Sequence, residues 1–169
     1  MGKKVIVEND KVEGTDKHNV SGMGQTIPPP PPVAPYPYMG VASFDYVGKM
    51  TGQLSDFVKI DGKPAAVKTS TSSLDPGESS PGGKHGGPQA KSPTPPLSTS
   101  SYSVQASALS IIDPVGTGRP STTAGSSFVK IASVAVLLDS DKIDTCDGLS
   151  IPMNSTVAAG EQDFVSCSE

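Results

Sequence analysis

The stretch "SDFVKIDGKPAAVKTS", residues 55–70, decides how the rest of the chain is read. Phe57 and Lys59 alternate with Val58 and Ile60, the period of a half-buried strand, and Asp61-Gly62 supplies the residues that a two-residue hairpin turn needs. Pro64 then opens a second short strand, where its missing N–H is tolerated. The phrase returns as "SSFVKIASVAVLLDS" at 126–140 and, shortened, as "QDFVSC" at 162–167. The first interval is about twice the second, so the first holds an insertion. A small β unit used several times can close a fold that no single unit would stabilise.

Working outward, "KVIVENDKV" at 4–12 reads as a first strand and its turn, and "SYSVQASALSIIDP" at 101–114 as another strand, with Tyr102, Val104, Ala106 and Ala108 on one side. "TVAAGEQDFVSC" at 156–167 reads as a last hairpin. "EGTDKHNVSGMG" at 13–24 mixes Gly, Asp, Asn and Ser around His18 and reads as a loop. No segment carries a sustained 3.6-residue apolar period, so helix is expected to be scarce. The expected fold is all-β: a single domain over 1–169, with loop insertions at about 24–40 and 69–101.

Both insertions are compositional. "TIPPPPPVAPYPYMG" holds five consecutive prolines, which alone would form polyproline II and suit a PxxP-reading partner. The competing reading is a rigid surface loop that needs no backbone partners. "SSPGGKHGGPQAKSPTPP" at 79–96 has almost nothing apolar to pack. With 18 Gly and 17 Pro among 169 residues and 34 % hydrophobic residues, the chain supports a modest core and a large share of loop.

Charge and cysteine content exclude several classes. The net charge is −4 with no clustered basic face, which disfavours nucleic acid. "MGKK" is followed by only three apolar residues, too few for a secretory signal, and "IASVAVLL" at 131–138 is too short to span a bilayer. The chain is therefore expected to be made in the cytoplasm, and no disulfide is expected between Cys146 and Cys167. "NST" at 154–156 fits a glycosylation acceptor, which has no meaning without export. No GxSxG, HExxH or phosphate-loop motif is present, and an enzyme is not expected.

"FVKIDGKPAAVKTS" resembles the signature of PAAR-repeat proteins, V-x-I-x-G-x-P-A-A, at Val58, Ile60, Gly62, Pro64, Ala65 and Ala66. "FVKIASVAVLLDSDKIDTCDG" at 128–148 is similar to the family's later copy, with Ser140 in place of Gly before Asp141. "EGTDKHNVSG" is similar to the opening G-D-x-x-x-H-G-G, with Asn19 in place of Gly. The resemblance implies a small conical fold of short strands, capping and sharpening the central spike of a contractile injection machine. That machine would be a type VI secretion system, a phage tail or an extracellular injection particle. The implied partner is a trimeric VgrG-type or phage-type spike protein, one tip chain per trimer, with effector cargo and transient contact with the target membrane. The implied destination is the particle, delivered outside the cell or into a target cell.

The resemblance also implies a structural zinc ion held by His18, His85 and Cys146. Taken alone, two His and two Cys offer the nitrogen and sulfur donors zinc prefers, but their spacing matches no local zinc motif. Cys167, water or a partner's group would complete such a site. The alternative function is a proline-rich, largely disordered interaction or adaptor protein.

Overall fold

In a computed structural model the described residues are 2–27, 36–74, 103–112, 118–145 and 153–167. They contain strands and turns and no helix, as the sequence led us to expect. The strands are β1 (Lys3–Lys4), β2 (Lys11–Ile27), β3 (Tyr36–Gly52), β4 (Lys59–Ile60), β5 (Lys63–Pro64), β6 (Thr71–Leu74) and β7 (Ser103–Ile111). They continue with β8 (Arg119–Pro120), β9 (Lys130–Ile131), β10 (Val134–Ala135), β11 (Lys142–Asp144), β12 (Ser155–Ala158) and β13 (Ser166–Cys167).

Three two-stranded ribbons form one end: β4–β5, β9–β10 and β1–β13. The first two are the hairpins of the two Phe-Val-Lys-Ile phrases. Asp61 and Gly62 have φ of 52° and 77°, the paired left-handed conformation of a type I′ turn. Ala132 and Ser133 hold the equivalent turn at φ of 47° and 70°, without the glycine or asparagine that makes it easy. The third ribbon joins segments far apart in the chain, Lys3 facing Cys167 and Lys4 facing Ser166. The last hairpin expected within 156–167 is therefore corrected. Its first strand pairs with β2 and β11, and its second pairs with β1. The Gly160–Glu161 corner between them is held by the Asp10 carboxylate, which accepts both backbone N–H groups. That pinning turns the chain from one layer into the next.

Each ribbon runs into a three-residue apolar segment: Val5-Ile6-Val7, Ala65-Ala66-Val67 and Val136-Leu137-Leu138. Their central residues form a closed cycle of backbone hydrogen bonds. Ile6 donates to Leu137 (2.9 Å), Leu137 to Ala66 (3.0 Å) and Ala66 to Ile6 (2.8 Å). Isolated bridges Val5–Leu138, Val7–Ala65 and Val67–Val136 link the same three segments. All nine residues are buried, so 4–12 lacks the simple alternation of a one-faced strand. The reason is that two cores lie on opposite sides. Val5, Val7, Ala65, Val136 and Leu138 pack with Ile60 toward the ribbons. Ile6, Ala66 and Leu137 pack with Val12, Tyr46, Met50, Ile143 and Val157 on the other side.

After each apolar segment the chain turns sharply, and a side chain caps the turn. Asp10 accepts the Val7 N–H (2.7 Å), Asp141 the Leu138 N–H (2.8 Å), and Ser70 Oγ the Val67 N–H (2.9 Å). Beyond these turns rise the antiparallel pairs β2–β3 and β11–β12 and the strands β6 and β8, in the sheet order β6-β3-β2-β12-β11-β8. A bridge from Ser72 to Gly118 joins the two ends of that order, so the sheet is nearly closed. Gly118 is required there: a Cβ would collide with Ser72 Oγ and crowd Ile143 and Thr145 at 3.1 Å.

The hairpin β2–β3 outruns the others. Residues 11–14 of β2 pair with β12, and residues 20–27 pair with β7. The expected loop at 13–24 is thus corrected to strand, and strand also occupies both ends of the expected insertion at 24–40. The inward side of β2 carries Val12, Gly14, Asp16, His18 and Val20, and this mixture hides the two-residue period. The polyproline run at 28–32 lies outside the described residues, as does the larger insertion beyond Leu74, up to Ser103.

Two substitutions test this account. Asp10→Ala strands three backbone N–H groups and should cost about 3 kcal/mol in urea unfolding. The pair Ala132→Asn and Ser133→Gly relieves the left-handed turn and should stabilise by about 1 kcal/mol in the same assay.

Candidate functional site

The ribbon end presents the same local structure three times. Val58 N–H donates to Ser55 Oγ (3.0 Å), Val129 N–H to Ser126 Oγ (3.0 Å) and Val165 N–H to Gln162 Oε1 (2.9 Å). The carbonyls of these valines accept from Ala65 (3.0 Å), Val136 (3.1 Å) and Val5 (3.1 Å). Ser55, Ser126 and Gln162 are themselves buried, so each short loop is fixed from beneath. Gln162 does more than its serine counterparts: its Nε2 also donates to the carbonyls of Val5 (2.7 Å) and Val165 (3.0 Å). The longer side chain thereby ties two chain segments that no turn connects.

The residue before each valine is an exposed phenylalanine. Phe57, Phe128 and Phe164 are 70 %, 75 % and 65 % exposed, against a rigid backbone and in equivalent positions. Single exposed apolar residues need no explanation, but three on one repeated frame form a patterned surface. Lys59 and Lys130 occupy one equivalent ribbon position, both exposed, and Ser166 takes that place in the third ribbon.

Two ion pairs brace this end. Lys4 Nζ meets Asp163 at 2.7 Å, within the third ribbon's own surroundings, and Lys63 pairs with Glu161 across two units. The hydrogen bond from Lys63, reinforced by its charge, holds the Glu161 carboxyl below its usual range, and Lys4 does the same to Asp163. Both lysines are correspondingly raised, chiefly by those hydrogen bonds.

At the other side of the hairpin layer lies a buried polar cluster. Asp16 is fully buried and accepts from the Thr145 hydroxyl and the Asn154 side-chain amide. Asn154 Nδ2 also donates to Thr145 Oγ1 (2.7 Å), and Thr145 Oγ1 lies 3.0 Å from Ser155 Oγ. The Asn154 amide is therefore engaged within the fold. His18, also fully buried, places Nε2 3.9 Å from Asp16 Oδ2 and its ring edge-on to Phe44, centroids 6.0 Å apart.

Of the residues expected to bind metal, only His18 falls among those described, while His85 and Cys146 lie outside them. Among the described residues no group of three or more His, Cys, Asp and Glu is placed to hold an ion. Cys167 is a free thiol at the ribbon end, in the place that Ile60 and Ile131 take in the other units, and packs against their core. It stands in the other layer from His18. The sequence did not single out Ser55, Ser126 or Gln162. The available signal was a polar residue two positions before each Phe-Val.

No family model, curated protein or solved structure matches the chain.

The ion pairs give this end a defined pH response. A carboxyl held low contributes stability above the ordinary carboxylate range and loses it as pH falls through the folded value; a lysine held high contributes below its ordinary range and loses it as pH rises through the folded value. The contribution is thus present from roughly pH 5 to pH 10. The double variant Glu161→Gln, Asp163→Asn should melt slightly below wild type at pH 7, and the gap should close in acid, as pH falls below the ordinary carboxylate range. Melting curves followed by circular dichroism across that range check it.

Proposed function

We propose that the chain is a structural tip protein that caps the trimeric central spike of a contractile injection machine and sharpens it for membrane piercing. The observation that carries this reading is the cycle Ile6–Leu137–Ala66, through which one chain acquires three quasi-equivalent faces around an axis. A single chain seated on a homotrimer must offer similar contacts three times. Three repeated ribbons at one end meet that requirement, and the all-β architecture suits continuation of a β-rich spike. The resemblance of 57–70 to the PAAR signature supports the same reading, since its Val58, Ile60, Gly62 and Ala65 build one ribbon and its turn.

A nearly closed sheet with two small cores also suits a mechanical role. The central residue of each apolar segment commits its N–H to one of the other two segments and its C=O to the other, which resists shear between units. The opposite end narrows to fewer strands, where β2, β3 and β7 continue alone among the described residues. A zinc ion at His18, His85 and Cys146 belongs to this proposal. What supports it is that Asp16 draws together His18 and Thr145, the residue preceding Cys146 in the chain. Bound there, the ion would cross-link segments distant in the chain and add folding free energy.

Co-expression with the trimeric spike protein of the same genome, followed by light scattering on the purified complex, should give one tip chain per trimer. Absence of any complex would overturn the cap. Metal analysis of the purified chain should find one zinc per chain, reduced to well below half in His18→Ala and in Cys146→Ser. A metal content near zero in the wild type would remove the ion from the proposal while leaving the cap to stand on the complex.

A further inference from the structure

We infer that Phe57, Phe128 and Phe164 are three equivalent anchors, each entering an apolar recess on one subunit of a homotrimeric partner, and that Lys59 and Lys130 meet a carboxylate on the rim of that recess. This rests on the reading of the chain as a cap on a trimer and specifies the surface it grips.

Three observations carry it. The phenyl rings are the most exposed large apolar side chains of the ribbon end, and they sit at matching positions of a frame fixed by Ser55, Ser126 and Gln162. Aromatic side chains on a pre-ordered backbone lose little freedom on docking, which is why such residues dominate binding energy in compact interfaces. Repetition then sets the partner's symmetry. Three like knobs are matched by three like recesses, and a homotrimer presents one recess per subunit.

The third observation is charge. Lys59 and Lys130 project from the same ribbon position and, unlike Lys4 and Lys63, take part in no ion pair among those of the described residues. The chain as a whole is acidic at −4, so two free cations beside the anchors stand out against its general field. They fit an acidic rim. Ser166 leaves the third position neutral, so two of the partner's three rims gain a cation and the third gains a hydroxyl. Such rim charges act mainly on the rate of encounter and its salt dependence.

The test uses the full chain and the immobilised spike trimer of the same genome, with binding followed by interferometry. Each single Phe→Ser should weaken binding about tenfold, and the triple variant at least a thousandfold. Phe→Leu at all three positions should keep binding within about tenfold, because an apolar knob remains. Lys59→Glu with Lys130→Glu should slow association about tenfold at low salt, with the difference shrinking as salt rises. Circular dichroism melts of these variants should match wild type, since the substituted side chains lie outside both cores.

Wild-type binding with an equally tight triple Phe→Ser variant would overturn the anchors and leave the cap standing. No binding by wild type would overturn the cap and the anchors with it. Dimers of the free wild-type chain that the triple variant abolishes would assign the knobs to a second copy, which also overturns the inference.

Discussion

The structure depends on three backbone hydrogen bonds that chase one another in a circle, from Ile6 to Leu137 to Ala66 and back. A sheet satisfies its backbone by laying strands side by side, and a short sheet leaves two raw edges. Here each apolar segment is instead the neighbour of both others, so the set has no first or last member. The cost is that all three segments must be apolar on both sides, because one core lies above the ring and another below. Val-Ile-Val, Ala-Ala-Val and Val-Leu-Leu meet that demand with quite different volumes. Ala66 sits beside Ile6 and Leu137, so the small member is offset by two large ones.

From that ring the rest follows by the same device, a polar side chain placed where the chain must turn out of a buried segment. Asp10, Ser70 and Asp141 accept the N–H three residues earlier, and each also binds a second segment. Asp10 reaches Gly160 and Glu161, Asp141 reaches the Gly125 N–H (2.8 Å), and Ser70 donates to the Gln53 carbonyl (2.9 Å). One residue per unit therefore sets both the turn out of the apolar segment and the position of the chain that enters the same unit. A neutral serine suffices in one unit because it donates as well as accepts. The carboxylates, acceptors only, gather additional N–H groups.

Legibility in the sequence followed the same division. The ribbon at 59–64 was plain because Asp61-Gly62 is required by its turn and because Lys59 and Ile60 face opposite sides. The matching ribbon at 130–135 was legible only through the repeated Phe-Val-Lys-Ile, since Ala132 and Ser133 announce no such turn. The third was hidden. Its two strands come from residues 3–4 and 166–167, and no local pattern names a partner so distant. The long strand β2 was missed for a different reason. Its inward face carries Asp16 and His18 among valines and a glycine, and the partners that satisfy Asp16, Thr145 and Asn154, come from β-rich segments more than a hundred residues away. Polar residues in an interior position erase the alternation by which a strand is read. Of the candidate site, the phenylalanines were visible as letters but not as a surface, because burial and symmetry belong to the assembled ring.

The two ends of the molecule solve opposite problems, and the difference bears on what each can do. At the ribbon end, hydrogen bonds and ion pairs are spent on holding the backbone still, and the apolar side chains are left outside: Phe57, Phe128 and Phe164. That is the reverse of an ordinary small domain, which would bury its few aromatic rings to stabilise a scant core. In a chain with only four phenylalanines and no tryptophan, leaving three of them in solvent sacrifices a large share of the available apolar burial. Toward the far end the interior mixes the polar Asp16, His18 and Thr145, cross-linked with the half-buried Asn154, with the buried Val20, Tyr38, Ala42 and Ile111. A partner covering the ribbon end, as proposed above, would recover the missing burial.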